Sequence, residues 1–406
     1  MLQVRVLRLA AGGDGVAKLP DGRTVFVPRT APGDLAELTA VQSAKRFARA
    51  RLARLVEFSR DRVDPPCPHY TRDECGGCQL QHVGYSAQLE ARRSIVGEAL
   101  RRLARVQVPD PTIEPAEAVF GYRTKLTLAA RGGRIGLRKY GRADAIFDLE
   151  RCHITASPLN QLWHSVRAAR RLLPLGLDQL VLRLDQAGER HLLTRVTGGR
   201  RLSAAEDLAR SLTDAGTHAS VWWQPDEGPP QLVAGHRGTT PPAGVFEQIH
   251  PAMAQRARAF AVERLGAVEG ALVWDLYGGV GDTTALLARA GARVHSVELD
   301  PRAVAYAERT GVSAARHAGR AESLVGTLPD PELVIVNPPR TGMDARVPTT
   351  LLDRRPRRIV YISCDPATLA RDVGRLAAEY RLVEARCFDL FPQTAHVETV
   401  AVLERG

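Results

Sequence analysis

The chain predicts an α/β architecture: a doubly wound open sheet in its C-terminal part, a small β-barrel at the N-terminus and a β-rich region between them. Three observations carry this. From about residue 246 onward, apolar strand-like runs alternate with helix-like segments, the pattern of a parallel sheet with crossover helices. The first 57 residues instead carry short strands broken by Gly-rich and Asp-Gly turns, a layout suited to a small barrel. The last two strand-like runs are separated only by Asp389–Ala395, too short for the crossover that a parallel pair needs, so they should form an antiparallel hairpin at the end of the sheet.

Taken in order, the barrel strands are read at Gln3–Leu7, Thr24–Val27, Asp34–Leu38 and Ala50–Leu55. Turn signals at Gly12–Gly15, Asp21-Gly22 and Pro32-Gly33 separate them. An irregular cysteine-bearing stretch (61–84) leads into an amphipathic helix from Ser86 to about Leu103. The middle of the chain shows strand signals at Thr124–Leu128, Arg134–Arg138 and Leu180–Leu184, with a Pro- and Gly-rich surface loop at Gln224–Pro230. The C-terminal strands are read at 271–276, 292–298, 333–336, 358–362, 380–388 and 396–403. These segments divide the chain into domains at 1–57, 58–235 and 236–406. The terminal hairpin favours a methyltransferase-type sheet over a dinucleotide-binding one.

Composition narrows the partners. Lys and Arg number 56 against 45 Asp and Glu, a formal charge of +11, which suits a polyanion. Only Lys18, Lys45, Lys125 and Lys139 are lysines, so 52 of the 56 cations are arginine; coding preference explains Arg over Lys but not the excess over acids. The cations are dense in Lys45–Arg54 and in Arg92, Arg93, Arg101, Arg102 and Arg105. No run approaches the ~20 apolar residues of a spanning helix, and the first residues alternate like a strand and lack a signal-peptide layout. A cytoplasmic protein with no membrane contact and no obligate protein partner is expected. In a reducing compartment its six cysteines point to metal binding before disulfides.

Four motifs carry chemistry. Ser363-Cys364-Asp365-Pro366 places a thiol between a strand-like and a helix-like run, where open α/β sheets process ligands. The adjacent helix N-terminus is expected to lower the thiol pKa and favour the nucleophilic thiolate. Asp275-Leu-Tyr277-Gly278-Gly279-Val-Gly281-Asp282 is a glycine turn that lets backbone approach a nucleoside ligand. The dinucleotide fingerprint would need glycine at 284, where Thr284 stands. Glu298, ending the next strand, can accept from a ribose diol, and Asn337-Pro338-Pro339-Arg340 aims an amide into the same cleft. Cys67, Cys75 and Cys78, with Cys152 as fourth thiol, suit a [4Fe–4S] cluster or zinc; their irregular spacing favours iron–sulfur. Glu398, opening the last strand, can serve as a general base beside the thiol. Cys387 reads as core.

Together these segments resemble the RNA uracil-5-methyltransferases, the S-adenosylmethionine (SAM)-dependent enzymes that make 5-methyluridine. The resemblance runs from the barrel, which looks like a TRAM domain, to the last strand. It is most specific in Ser363–Asp372, Asn337–Gly342 and Phe391–Val400. It implies a class I SAM methyltransferase sheet, Cys364 adding to the base, and Glu398 removing the C5 proton. It also brings Gln248, within Phe246–His250, to the SAM site beside Tyr277, Gly279, Gly281, Asp282, Glu298 and Asn337. Departures from the family pattern are His250 and Asp365 in place of Asn, Asn337 in place of a frequent Asp, and seven residues where five usually separate the first two cysteines.

The target is expected to be RNA, ribosomal before transfer RNA, held by the Arg-rich surface and the barrel, with Phe246 available to stack on a base. A cytosine-5 methyltransferase would place a Pro-Cys nucleophile after Asn337-Pro338-Pro339, and none is there. An NAD-dependent oxidoreductase is disfavoured by Thr284 and the hairpin. A non-catalytic RNA-binding protein has no need of Cys364 with Glu398.

Overall fold

The structure is a computed structural model that describes residues 2–199, 201–236 and 247–406; Phe246 lies outside the described residues. The chain divides into two compact units, each assembled from separated segments. One comprises 1–64, 79–116 and 252–406, the other 65–78 and 117–251. The cysteine-bearing segment therefore belongs with the middle of the chain, although residues on both its flanks do not.

In the first unit, six strands form the N-terminal barrel: β1 (Leu2–Arg5), β2 (Arg8–Leu9), β3 (Gly15–Lys18), β4 (Thr24–Val27), β5 (Leu35–Ser43) and β6 (Phe47–Glu57). Their order is β1-β5-β6-β4-β3-β2. Because β1 and β2 are consecutive halves of one bent strand, the two edges of this order meet and close the sheet. Leu7 N–H donates to the Val16 carbonyl at the bend, 2.8 Å away. Val4, Val25, Val27, Ala36, Leu38 and Ala48 fill the interior.

The large sheet of this unit adds β7 (Thr112–Glu114) at an edge. The second unit supplies β8 (Lys125–Arg131), β9 (Arg134–Lys139), β10 (Arg142–Asp148), β11 (Leu177–Leu184), β12 (Arg190–Val196), β13 (Ser220–Gln224) and β14 (Gln231–Ala234), ordered β10-β9-β8-β11-β12-β13-β14. Helices Ser157–Ala168 and Ala205–Asp214 cover one face of that central sheet, burying Leu162, Trp163, Leu208 and Leu212 against Leu126, Leu128, Leu180 and Leu182.

The rest of the large sheet is β15 (Leu272–Leu276), β16 (Arg293–Glu298), β17 (Ala315–Ala318), β18 (Leu333–Val336), β19 (Arg358–Ser363), β20 (Tyr380–Phe388) and β21 (Glu398–Arg405). The order is β17-β16-β15-β18-β19-β21-β20-β7, with β21 antiparallel to both β19 and β20. This is the class I methyltransferase sheet with its expected terminal hairpin. Two apolar cores sandwich it: Trp274, Val334 and Val336 face one, Val273, Leu333 and Ile335 the other. Leu333–Val336 is buried at every position for that reason, as parallel strands covered on both sides must be. The chain reverses its winding direction between β15 and β18, so the C-terminal ends of β15, β16 and β18 open onto the crevice where such sheets bind ligands.

Candidate active site

The turn after β15 is shaped from below by small residues. Tyr277 takes a left-handed φ of 63°, Gly279 one of 55° and Gly281 one of 91°. A Cβ at Gly278 would collide with Ser296 Oγ, and one at Gly281 with the Arg316 guanidinium. On Gly279 the space is open to at least 4 Å, which leaves room for a ligand against bare backbone. Asp282 begins the following helix and pairs with Arg258 at 3.3 Å.

Glu298, at the end of β16, accepts from Gly279 N–H at 2.9 Å and from Asp300 N–H at 2.8 Å. Each oxygen keeps a lone pair for a diol. Beneath the turn, buried Asp275 accepts from Thr284 Oγ1, and burial pushes its carboxyl up to about 6. The half-buried Arg316 guanidinium is its nearest compensating charge, and two Arg316 nitrogens have no hydrogen-bond partner among the described residues. Asn337 follows β18, its N–H donating to the Leu276 carbonyl at 3.1 Å.

Cys364 and Glu398 are brought together by strand register. Ser363 pairs with Thr399 across β19 and β21, so the next antiparallel step sets Cys364 abreast of Glu398. Glu398 is 2% exposed, and its Oε2 has no hydrogen-bond partner among the described residues. Burial raises it to about 8 against the opposing pull of Arg258 and Arg340. The thiol departs from the sequence expectation. Burial and the Glu398 carboxylate push the Cys364 pKa up, and only Arg340 among the charged groups pulls it down. The helix N-terminus beside the thiol is capped by Asp365, which accepts from Ala367 and Thr368 N–H at 2.9 Å each. The cap uses the orphan amides and adds a negative charge beside the sulfur. Asp365 thus does the capping work open to Asn at this position.

The segment from Asn337 is tied to the thiol's helix through Asp372. That buried carboxylate accepts from Met343 N–H (2.8 Å), Tyr361 Oη (2.9 Å) and Arg371 Nε (2.9 Å). Arg340 donates to His396 Nε2 at 3.2 Å, joining this segment to the loop before Glu398. Sequence reading passed over Arg258, Arg316, Arg340 and Asp372 as site residues. Each lies outside a motif's reactive position, and only the fold shows what it faces.

Gln248 and the cysteines belong to the second unit. Gln248 is half-buried between Glu247 and Ile249, whose carbonyl accepts from Thr124 N–H at 2.9 Å; His250 stacks on Tyr122. Cys67, Cys75 and Cys78 are buried and Cys152 half-buried. Cys67, Cys78 and Cys152 share one apolar cluster with Tyr70, Tyr122 and Ile154. Gly77 N–H points at Cys75 Sγ at 3.4 Å. His69 spends both nitrogens, on Asp73 (2.7 Å) and on Glu150 N–H (3.1 Å). Cys387 is core, as expected. Asp185, Glu189 and His191 also converge, but Asp185 and the two His191 nitrogens are engaged with each other and with Trp222 Nε1. No helix among the described residues is long and apolar enough to cross a membrane.

Comparison with known proteins identifies the family. A TRAM domain model matches residues 1–53, and a tRNA (uracil-5-)-methyltransferase model matches 314–406. An uncharacterised RNA methyltransferase of Gloeobacter violaceus is 34% identical, covering 99% of this chain and 96% of that protein. One from Corynebacterium efficiens is 33% identical, covering 100% and 94%. Among solved structures, the Pyrococcus abyssi tRNA (uracil-54, C5)-methyltransferase in complex with S-adenosyl-L-homocysteine superposes with a TM-score of 0.74. It is 25% identical, covering 98% of this chain and all of that one. With both ends of the chain matched, relatives aligned over nearly its full length, and a thiol and carboxylate abreast at the sheet's end, the chain belongs to the RNA uracil-5-methyltransferase family.

Proposed function

We propose that the chain methylates C5 of a uridine in RNA using SAM, with Cys364 as nucleophile and Glu398 as base. The observation that carries the role assignment is the antiparallel register that sets a half-buried thiol beside a buried, incompletely bonded carboxylate. The cofactor site of the first unit is Tyr277, Gly279, Gly281, Asp282, Glu298 and Asn337. The open face of Gly279 and the paired N–H contacts that orient Glu298 fit a nucleoside. Bound there, SAM supplies an electrophilic methyl group.

Uracil C5 is too weak a nucleophile to take that methyl unaided. The Cys364 thiolate adds to C6, and the C5–C6 π pair moves into an enolate that is rich at C5. C5 takes the methyl. Glu398 accepts the C5 proton, the C6–S bond breaks, and the ring double bond reforms as the thiolate leaves. Arg340 faces both Cys364 and Glu398, where its charge favours the two anions the cycle requires. The base must leave its stack to reach this site, which is least costly in an unpaired loop.

Cys67, Cys75, Cys78 and Cys152 would hold a [4Fe–4S] cluster. Four thiols and an N–H···S contact fit such a centre, whose sulfurs are tuned by hydrogen bonds. The RNA is read as ribosomal, from the TRAM domain together with the four-cysteine set. A second reading, transfer RNA, is favoured by the likeness to the Pyrococcus abyssi enzyme. Incubation with labelled SAM and separated ribosomal and transfer RNA, followed by nucleoside analysis, tests the reaction and the class of RNA. 5-Methyluridine in one fraction is expected; 5-methylcytidine, or no labelled nucleoside, overturns the assignment.

A further inference from the structure

One face of the central sheet carries no helix among the described residues and is not apolar throughout. Leu180, Leu182 and Leu192 point to the helix-covered core, so the alternate residues of β11 and β12 point the other way. On that side lies a cavity of about 300 Å³, walled in part by Pro225 and Asp226. Its lining is ordered in rows. Lys125, Arg183 and His191 are register partners across β8, β11 and β12. At the other end, Gln179, Arg195 and Gln224 are partners across β11, β12 and β13. Between the rows, Val181 and Leu193 make an apolar floor backed by Trp222.

The two cationic ends are four residues apart on β11, roughly 13 Å by strand rise. A single inorganic anion would need the cations gathered at one point. Cations at two ends of an apolar strip instead match a stretch of nucleotide strand, with phosphates at the ends and a base over the middle. The charge is unevenly answered. Arg183 pairs with Glu247 and Asp226 stands in the wall, but neither Lys125 nor Arg195 has an ion pair among the described residues. Lys125 is half-buried, and burial together with Arg183 and Arg123 disfavours its charge. An anion in the cavity would relieve that.

We propose that this cavity on the central sheet is a second RNA-binding site, gripping the backbone of a single-stranded segment of the substrate through Lys125 at one end and Arg195 at the other, with the buried, Glu247-paired Arg183 as part of its wall. His191 is held by Asp185 and Trp222 and serves as rigid wall. The inference rests on the chain's acting on RNA, and it assigns part of the RNA grip to a region that neither the TRAM domain nor the methyltransferase sheet supplies.

The test is binding of a labelled RNA single strand of about ten nucleotides to the full chain and to its Lys125→Ala/Arg195→Ala variant at several salt concentrations. The expected result is roughly tenfold weaker binding and a salt slope shallower by about 1.4, two lost contacts at about 0.7 each. Lys125→Arg/Arg195→Lys should restore both. Arg195→Glu alone, at an exposed position where folding is not at stake, should weaken binding further than Arg195→Ala. Unchanged affinity and slope in the double variant overturn the proposal. So does displacement of the RNA by inorganic phosphate or a mononucleotide at low millimolar concentration, which would make the cavity a small-anion site. Formation of 5-methyluridine by the unaltered chain on bulk RNA is scored separately. If that fails while the variant still loses its salt-dependent grip, the catalytic reading falls and the binding site stands.

Discussion

Glu398 opens β21 as a buried carboxylate with one oxygen left without a hydrogen-bond partner among the described residues, an arrangement that a purely structural residue would have little reason to keep. Its proposed role separates it from Cys364. Cys364→Ala should abolish methylation and leave SAM binding nearly unchanged, because the thiol acts on the base alone. Glu398→Gln should still permit addition and methyl transfer but not proton removal, so protein and RNA should remain joined. A SAM-dependent slow band in denaturing gels that vanishes in the Cys364→Ala/Glu398→Gln double variant is the expected result; near wild-type turnover by Glu398→Gln would refute the assignment. The same carboxylate sets a pH dependence. Its pKa is raised by the fold from an ordinary 4.5 to about 8, so the protonated form is the one the folded state prefers. The stability this gives is full below about 4.5 and is lost as pH rises through about 8, on the order of 5 kcal/mol in the limit. Melting temperature measured from pH 5 to 9 should therefore fall more steeply for wild type than for Glu398→Gln. Turnover should rise over the same range, since both the base and the Cys364 thiolate are needed ionised.

At the scale of elements, the loop from Asp389 to His396 that delivers Glu398 is held by the helix Tyr85–Leu103. Tyr85 Oη donates to Asp389 Oδ2 at 2.9 Å, Arg92 to the Thr394 carbonyl at 2.8 Å, and Gln88 Nε2 to Gln393 Oε1 at 3.0 Å. Arg92 and Asp389 are both buried, their charges 3.5 Å apart. Arg92→Met should cost about 3–5 kcal/mol, the penalty for orphaning a buried charge, and Asp389→Asn in the same chain should recover part of it; additive losses in thermal melts would show that the pair is not coupled. The glycine turn makes a separate claim. Gly281→Ala places a side chain at φ 91° and into Arg316, so SAM affinity by calorimetry should drop sharply, whereas Gly279→Ala meets no protein atom and should weaken SAM less, through the strain of a side chain at φ 55° and by occupying ligand space. The sheet holding these pieces was legible because its strands are buried on both faces and read as unbroken apolar runs, as in Leu333–Val336. Edge strands were not: Thr112–Glu114 and Ala315–Ala318 have partly or fully exposed residues throughout and no apolar run. Gly15–Lys18 hid behind its own turn glycines, and with it the barrel's closure. At the site, the proposed reactive residues were legible as motifs, but the direction of the Cys364 pKa was not, because it depends first on burial and then on the Glu398 carboxylate that only register brings close.

At the scale of the whole molecule, the second unit is stitched from two distant stretches of chain, 65–78 and 117–251. The short stretch contributes little apolar area of its own: Cys67, Tyr70 and Cys78 meet Tyr122 and Ile154, and Cys75 joins the core of the central sheet. Three of the four proposed cluster ligands lie in that stretch and the fourth, Cys152, in the long one. A cluster across them would act as a staple, since closing a loop by metal removes entropy from the unfolded chain and metal affinity becomes folding free energy. Protein purified without oxygen should then be brown and contain about four irons per chain; reconstitution that yields zinc and no iron would count against the cluster. Cys75→Ser should lose the colour, and limited proteolysis should then cut first within 65–78. Because the proposed Cys364, Glu398 and glycine-turn residues all belong to the other unit, SAM should still bind the variant while RNA methylation falls. Loss of SAM binding in step with the iron would instead place the cluster among the determinants of the cofactor site, and unchanged proteolysis in iron-free protein would remove its structural role altogether.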